Sequence, residues 1–303
     1  MVNPTKFRET VLSNRDSQQV RTTRPLSSEQ IAQYHEDGYV IVPGFFDPEE
    51  VEPVRIACEE DPDIKGAQTS VTDNLGRTFK VATWTDLGNA LLGVIPRIAR
   101  IVDAAETLLG RECYHCHSKL IRKQPHTESL VNFHQEYGFW YYDGCLFPHF
   151  VTCAIAIDKN NQENGCLQVV KKSHLLGRLD QVSLGNDYGT EPERLEKILE
   201  IQEIVYCEME PGDALFFHAN TLHGSGSNHS EMPRTLIHCA YNAVSNAPFL
   251  VEGQEHHRYR PLQKLPDSIL KEGGYDSIFA KHEFHPVESD DDSGAGIFRR
   301  QRT

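Results

Sequence analysis

Apolar residues recur along this chain in two periods, helical near the start and alternating further on. Ile31 and Tyr34 repeat at helical spacing behind Ser27 and Ser28, either of which caps a helix, and Gly38 sits where such a helix ends. Tyr39-Val40-Ile41-Val42 reads as a strand, and Asp47-Pro48-Glu49-Glu50 as a helix start. That start combines a capping carboxylate, a first-turn proline and acids at the positive end of the helix dipole. Ile98, Val102, Ala105 and Leu109 form one apolar stripe, which predicts a helix from Pro96 to Leu109 closed by Gly110. Beyond it the pattern turns to short β-rich runs: Cys113–Arg122, Leu130–Glu136, Phe150–Asp158, Gly165–Val170, Ile204–Glu208, Ala214–His218 and Thr235–Asn242. Turn residues such as Asn160-Asn161, Pro211-Gly212-Asp213 and Gly224-Ser225-Gly226 separate them. Many short strands punctuated in this way predict a sandwich or jelly-roll barrel with helices packed outside one end. Gly177–Leu199 reads as a long insertion of the kind that forms lids and binding loops.

One domain is expected over residues 27–285. Residues 1–26 are polar and aperiodic, which predicts a mobile arm, and residues 286–303 include the acidic run Glu288–Gly294, which predicts a flexible tail. The 303 residues, 39% of them hydrophobic, suffice for a sizeable core. A formal net charge of −14 provides no basic footprint for nucleic acid and repels anionic lipid headgroups. No apolar run has the length of a signal peptide or a membrane span, so the expected location is the cytoplasm. Eight scattered cysteines, several inside apolar segments, fit buried thiols in a reducing compartment better than disulfides. Cys113 and Cys116 have the spacing of a redox or zinc motif, but no second pair follows and the segment is strand-like.

Two segments carry the candidate chemistry. In a strand at Asn132–Glu136, His134 and Glu136 would project from one face, a nitrogen and an oxygen donor together. A second histidine from a neighbouring strand would complete a two-histidine, one-carboxylate set, which leaves three positions open for an oxoacid and O₂ on Fe(II). His223 is the best partner: it follows an apolar strand and precedes Gly224-Ser225-Gly226, where backbone approaches a ligand closely. Arg234, eleven residues further on, offers a guanidinium that grips a carboxylate with two parallel bonds.

With these residues in place, the chain resembles the phytanoyl-CoA dioxygenase family. The likeness covers roughly residues 27–245 and rests on four blocks. They are Glu36-Asp37-Gly38-Tyr39-Val40-Ile41-Val42 between two helices, His134-Gln135-Glu136, Asn164-Gly165-Cys166-Leu167 with Ser173-His174, and Gly212 through Asn228 followed by Arg234. The resemblance implies a mainly β fold with flanking helices around a double-stranded β-helix (jelly-roll, cupin-like) core. It implies an Fe(II)- and 2-oxoglutarate-dependent dioxygenase that consumes O₂, releases succinate and CO₂ and hydroxylates a C–H bond of a small molecule. His134, Glu136 and His223 would then ligate iron. Arg234 would bind the distal carboxylate of 2-oxoglutarate, Ser225 would assist, and Lys119 or Lys123 would reach the same cosubstrate. The family usually has Asp where this chain has Glu136, one methylene longer. A carboxylate remains, so the carboxylate-free variant linked with halogenation does not apply.

Other residues keep two readings. His115 and His117 share a strand face with Lys119 and fit hydrogen bonding in a polar pocket or metal ligation. His218 fits packing beside the metal, and His256-His257 has no partner spacing. Phe139-Trp140-Tyr141-Tyr142 is either core and rim packing or a wall for an apolar or cationic substrate group. Two competing classes stand beside the oxygenase: a metal-dependent barrel enzyme without an oxoacid, and a non-catalytic binding protein of the same fold. Net acidity disfavours an acyl-CoA and leaves a small neutral, zwitterionic or cationic metabolite as the expected substrate.

Overall fold

The computed structural model describes residues 25–249 and 258–275, apart from residues 74, 86, 185 and 186. Of the expected arm over 1–26 only residues 25 and 26 are described, and the acidic tail over 286–303 and His256-His257 lie outside the described residues.

Local signals place the first elements. Ser27 accepts from the Gln30 amide and Gln30 returns the bond to the Ser27 amide, a capping box that opens α1 (Ser28–Asp37). Gly38 ends α1 in the left-handed conformation, with φ at 86°. β1 (Tyr39–Val42) follows, and α2 (Pro48–Glu60) begins at proline with the Glu50 side chain back-bonded to the Asp47 amide. After α3 (Pro62–Ala67), β2 (Thr69–Thr72) and β3 (Thr78–Trp84) form a hairpin that no apolar alternation announced. α4 (Leu91–Val94) leads through a tight 3₁₀ turn, Ile95–Arg97, into α5 (Ala99–Leu109). The helix expected from Pro96 therefore starts three residues later, because Pro96 lies within the 3₁₀ turn.

The remaining strands are β4 (Cys113–Lys123), β5 (Val131–His134), β6 (Phe150–Ala156), β7 (Leu167–Val170), β8 (Gln181–Leu184), β9 (Asp187–Thr190), β10 (Ile204–Tyr206), β11 (Ala214–His218), β12 (His223–Ser225) and β13 (Arg234–Ala243). Three short helices join them: α6 (Tyr137–Trp140), α7 (Pro192–Leu199) and α8 (Ile269–Glu272). The expected insertion at Gly177–Leu199 is thus no irregular loop: it holds the β8–β9 hairpin and α7. Glu191 caps α7 by accepting from the Glu193 and Arg194 amides.

All named strand pairs are antiparallel, in a seven-stranded sheet ordered β1-β11-β6-β13-β4-β3-β2, a four-stranded sheet ordered β10-β7-β12-β5 and the two-stranded β8-β9 sheet. Alternation along the large sheet makes two cores. Cys153, Ile155, Phe216, Ile237, Cys239 and Tyr241 face outward and pack under residues of α1, α2 and α5. Ala154, Leu215, Phe217 and Leu236 face inward and meet Leu167 and Val169 of the smaller sheet. The consecutive pair Phe216 and Phe217, both fully buried, therefore serves opposite cores, each ring contributing about 2–3 kcal/mol by burial. This is the expected mainly β jelly roll with flanking helices, and the inward face of its large sheet forms one wall of the site.

All eight cysteines are buried and unbridged. Cys113 packs in the helix-side core and Cys116 in a separate inner cluster, so the pair builds no common site. No helix among the described residues is long and apolar enough to cross a membrane.

Gly38 ties the helical layer to the strand end that leads to His223, since its carbonyl accepts from the His218 amide and the Thr221 hydroxyl. A Cβ there would lie 2.4 Å from the His174 ring and 2.9 Å from Thr221, on a backbone that L-residues rarely adopt. Gly38→Ala is expected to cost on the order of 1–3 kcal/mol. Urea unfolding of the two proteins checks this, and an unchanged midpoint would refute it.

Candidate active site

The site is assembled across the smaller sheet. β5 and β12 pair so that His134 and His223 are direct cross-strand partners, with ring centroids 4.3 Å apart. His134 Nδ1 lies 2.8 Å from the Asn132 carbonyl and His223 Nδ1 lies 2.9 Å from the Thr221 carbonyl. A carbonyl only accepts, so each ring carries its proton on Nδ1 and presents bare Nε2 as the donor.

Glu136 arrives by a different route from the one expected. β5 ends at His134, and Glu136 has helical dihedrals (φ −63°, ψ −38°) at the head of α6. The carboxylate shares the histidines' space because the chain turns, not because a strand alternates. Gln135 makes that turn: fully buried, it donates to the Gly177 and Asn220 carbonyls and accepts from the Leu179 amide. The turn still gathers the three groups, since one ligand atom each of His134, Glu136 and His223 lie within 4.8 Å of one another. Glu136 Oε1 stands 3.8 Å from His223 Nε2.

Charge completes the picture. Burial alone would raise the Glu136 carboxyl, but the Lys119 ammonium, with help from His134 and His223, holds it well below the usual carboxylate range. Lys119 Nζ is 3.1 and 3.3 Å from its two oxygens. Burial, reinforced by His134, pushes His223 down to about 3, so the ring stays neutral and able to ligate.

A second polar locus lies two residues past His223. Arg234 opens β13, is 1% exposed, and donates from Nε and Nη2 to the Gly165 carbonyl at 3.1 and 2.8 Å. Gly165 is left-handed (φ 72°), and a Cβ there would sit 2.4 Å from the Gly226 carbonyl, so only glycine lets this turn close. No carboxylate pairs with Arg234 among the described residues, and burial lowers its guanidinium to about 10. Facing it across the strands is Lys123, also fully buried. Its ammonium donates to the Ser129 carbonyl at 3.0 Å, the Ser225 hydroxyl at 2.9 Å and the Gly226 carbonyl. Burial, then the neighbouring Arg234, presses Lys123 well below its ordinary range. Two buried basic side chains and one hydroxyl thus converge with no carboxylate paired to them among the described residues, an environment that an anionic ligand would relieve.

The other residues singled out separate clearly. Phe139 lies edge-on to His134 at 6.2 Å and to Tyr188 of the β8–β9 hairpin at 6.3 Å. Trp140 is core, stacked on Phe150 at 4.1 Å and edge-on to His117. Tyr141 and Tyr142 stand at the rim, about two-fifths exposed, with the Arg178 guanidinium 3.7 Å from the Tyr141 ring centre. His115 bonds the Ser118 hydroxyl, and His218 Nδ1 accepts from the Asn220 amide. Neither these two histidines nor His117 belongs to the donor cluster. Missing from the expectations were Gln135 and His238. Both lie in stretches already read as strands, and counting by twos from Arg234 would have put His238 on the inner face.

Two facing antiparallel sheets with a two-histidine, one-carboxylate cluster between them are the architecture of the 2-oxoglutarate-dependent non-haem iron oxygenases. The sequence profile of the phytanoyl-CoA dioxygenase (PhyH) family matches residues 34–236, and the chain belongs to that family. It is 27% identical over 236 residues to the ectoine dioxygenase of Bordetella parapertussis, covering 73% of this chain and 77% of the relative. It is 28% identical over 168 residues to the L-proline trans-4-hydroxylase of Streptomyces griseoviridis, covering 50% and 63%. The crystal structure of EctD from S. alaskensis with 2-oxoglutarate and 5-hydroxyectoine superposes with a TM-score of 0.65 at 24% identity, over 81% of this chain and 89% of that one.

Proposed function

We propose that the protein is an Fe(II)- and 2-oxoglutarate-dependent dioxygenase that hydroxylates a C–H bond of a small metabolite, with His134, Glu136 and His223 holding the iron. The observation that carries this is the convergence of those three donors, both histidines locked with Nε2 free. Bound there, the iron supplies the oxidising chemistry, coupled to conversion of 2-oxoglutarate and O₂ into succinate and CO₂. Arg234 takes the distal carboxylate of the oxoacid, with Lys123 steadying Ser225 and Gly226 beside it. Lys119 neutralises Glu136 and stands ready for the oxoacid's other end. Phe139, edge-on to His134, offers an apolar surface beside the metal-binding side chains.

Small neutral, zwitterionic or cationic metabolites fit best as substrate. Support comes from the acidic chain, with its net charge of −14, and from the small compounds named for the ectoine and proline relatives. The eight unbridged thiols favour the reducing cytoplasm as the place of action.

Anaerobic addition of 2-oxoglutarate to the Fe(II)-loaded protein tests the reading. A visible charge-transfer band, followed by succinate formation on admitting air, is the expected result. Metal binding indifferent to 2-oxoglutarate would favour a barrel enzyme without an oxoacid, and absence of metal binding a non-catalytic binding protein.

Glu136 invites a separate prediction. Its longer side chain orders one more torsion than Asp would, yet it brings the same oxygen donor into the cluster. Glu136→Ala should lose most iron affinity, whereas Glu136→Asp should retain the metal. Equal iron titrations of wild type and Glu136→Ala would remove this residue from the ligand set.

A further inference from the structure

Arg234, Leu236 and His238 occupy successive inward positions of β13, opposite Lys123, Ile121 and Lys119 of β4. The inner wall therefore has three rows: a basic row at Arg234 and Lys123, an apolar row, and a row of His238 and Lys119. Arg234 to His238 spans about 13 Å of strand. The last row sits at the donor cluster, because Lys119 reaches Glu136 and the Phe217 ring lies 6.1 Å from His238 and 4.7 Å from His223.

His238 has apolar or small neighbours along its strand and on β6, and Lys119 as its partner on β4. Its inward neighbours along the strand are Leu236 and Ala240, and its partner on β6 is Ala154. The residue is 4% exposed, and its Nε2 is buried without a hydrogen-bond partner. Such an atom costs stability unless a ligand satisfies it. His238 does not belong to the donor cluster. An imidazole can carry a proton on either ring nitrogen, so Nε2 can present an N–H to a ligand.

We propose that His238 is a further cosubstrate-binding residue, donating a hydrogen bond to the carboxylate of 2-oxoglutarate next to its keto carbon, at the end opposite Arg234. This inference rests on the oxygenase reading above. It assigns the two ends of the oxoacid to two rows of one wall: Arg234 grips the distal carboxylate, while His238 and Lys119 orient the end that meets the iron.

The test is an anaerobic titration of the Fe(II)-loaded protein with 2-oxoglutarate, followed by the visible band, in wild type, His238→Leu and His238→Gln. Leucine fills the space without a donor, and glutamine restores an N–H at the reach of Nε2. His238→Leu is expected to need about 10-fold more 2-oxoglutarate, the loss of one hydrogen bond to a charged group. Iron affinity should be unchanged, the protein without cosubstrate should melt no lower than wild type, and His238→Gln should recover most of the loss. A His238→Leu curve that superimposes on wild type, or a glutamine variant no better than leucine, overturns the proposal. So does a parallel fall in iron affinity, which would put His238 in the service of the metal. A wild type that shows no band at all defeats the underlying oxygenase reading instead, an outcome visible before any variant is compared.

Discussion

Replacing His223 by alanine is expected to abolish iron binding and turnover together while the fold survives. The site has three protein donors, and among the described residues no fourth histidine, cysteine or carboxylate joins the group. Losing an outer hydrogen-bond partner of a metal ligand costs about 10- to 100-fold in affinity, so losing the ligand itself should exceed about 100-fold. His134→Ala should behave alike, because the two rings are cross-strand partners held in the same way by a carbonyl two residues earlier. Metal analysis of the purified variants, with a far-ultraviolet spectrum to verify the fold, provides the check. Near-normal iron content in either variant would mean that the ligands have been misassigned.

Arg234→Ala should leave iron affinity intact and raise the requirement for 2-oxoglutarate steeply. The guanidinium is buried, held by the Gly165 carbonyl alone, and no carboxylate pairs with it among the described residues. Removing one partner of a buried charge pair costs on the order of 2–5 kcal/mol, which corresponds to roughly 30-fold or more in half-saturation. Part of that loss comes from leaving the oxoacid's carboxylate beside Lys123 only. Arg234→Lys should recover little, since an ammonium cannot reproduce the planar fork. Unchanged cosubstrate affinity combined with collapse of primary-substrate affinity would sink the assignment and move Arg234 to the substrate side.

Much of the site was legible before any fold was known, because it depends on residue chemistry at short spacing. A histidine two residues from a carboxylate, a histidine before Gly-Ser-Gly and an arginine opening the next β run are local features. The helix starts were legible for the same reason: Ser27 with Gln30, and Asp47 with Pro48 and Glu50, meet their partners within one turn. The β2–β3 hairpin and the strand at His223–Ser225 were not. The first lacks clean alternation, and the second is three residues long, with a small residue in two of its three positions.

What the chain by itself determined is which groups are available: two histidines, a carboxylate and an arginine at short spacings, and alternating apolar runs for a two-sheet fold. What only the tertiary structure decided is how they are shared out. Lys119 and Lys123 lie four residues apart on one face of β4, yet the first meets Glu136 and the second meets Ser225. The run Phe139–Tyr142 alternates in neither sense: a helical turn sends Phe139 to His134, Trp140 into the core, and Tyr141 and Tyr142 to the rim. Glu136 joins the cluster through a turn pinned by Gln135 to residues 177, 179 and 220, more than forty positions away. Pairing between distant strands sets these positions. That register is chosen by burying both faces of the large sheet at once, a condition that no local window of sequence contains.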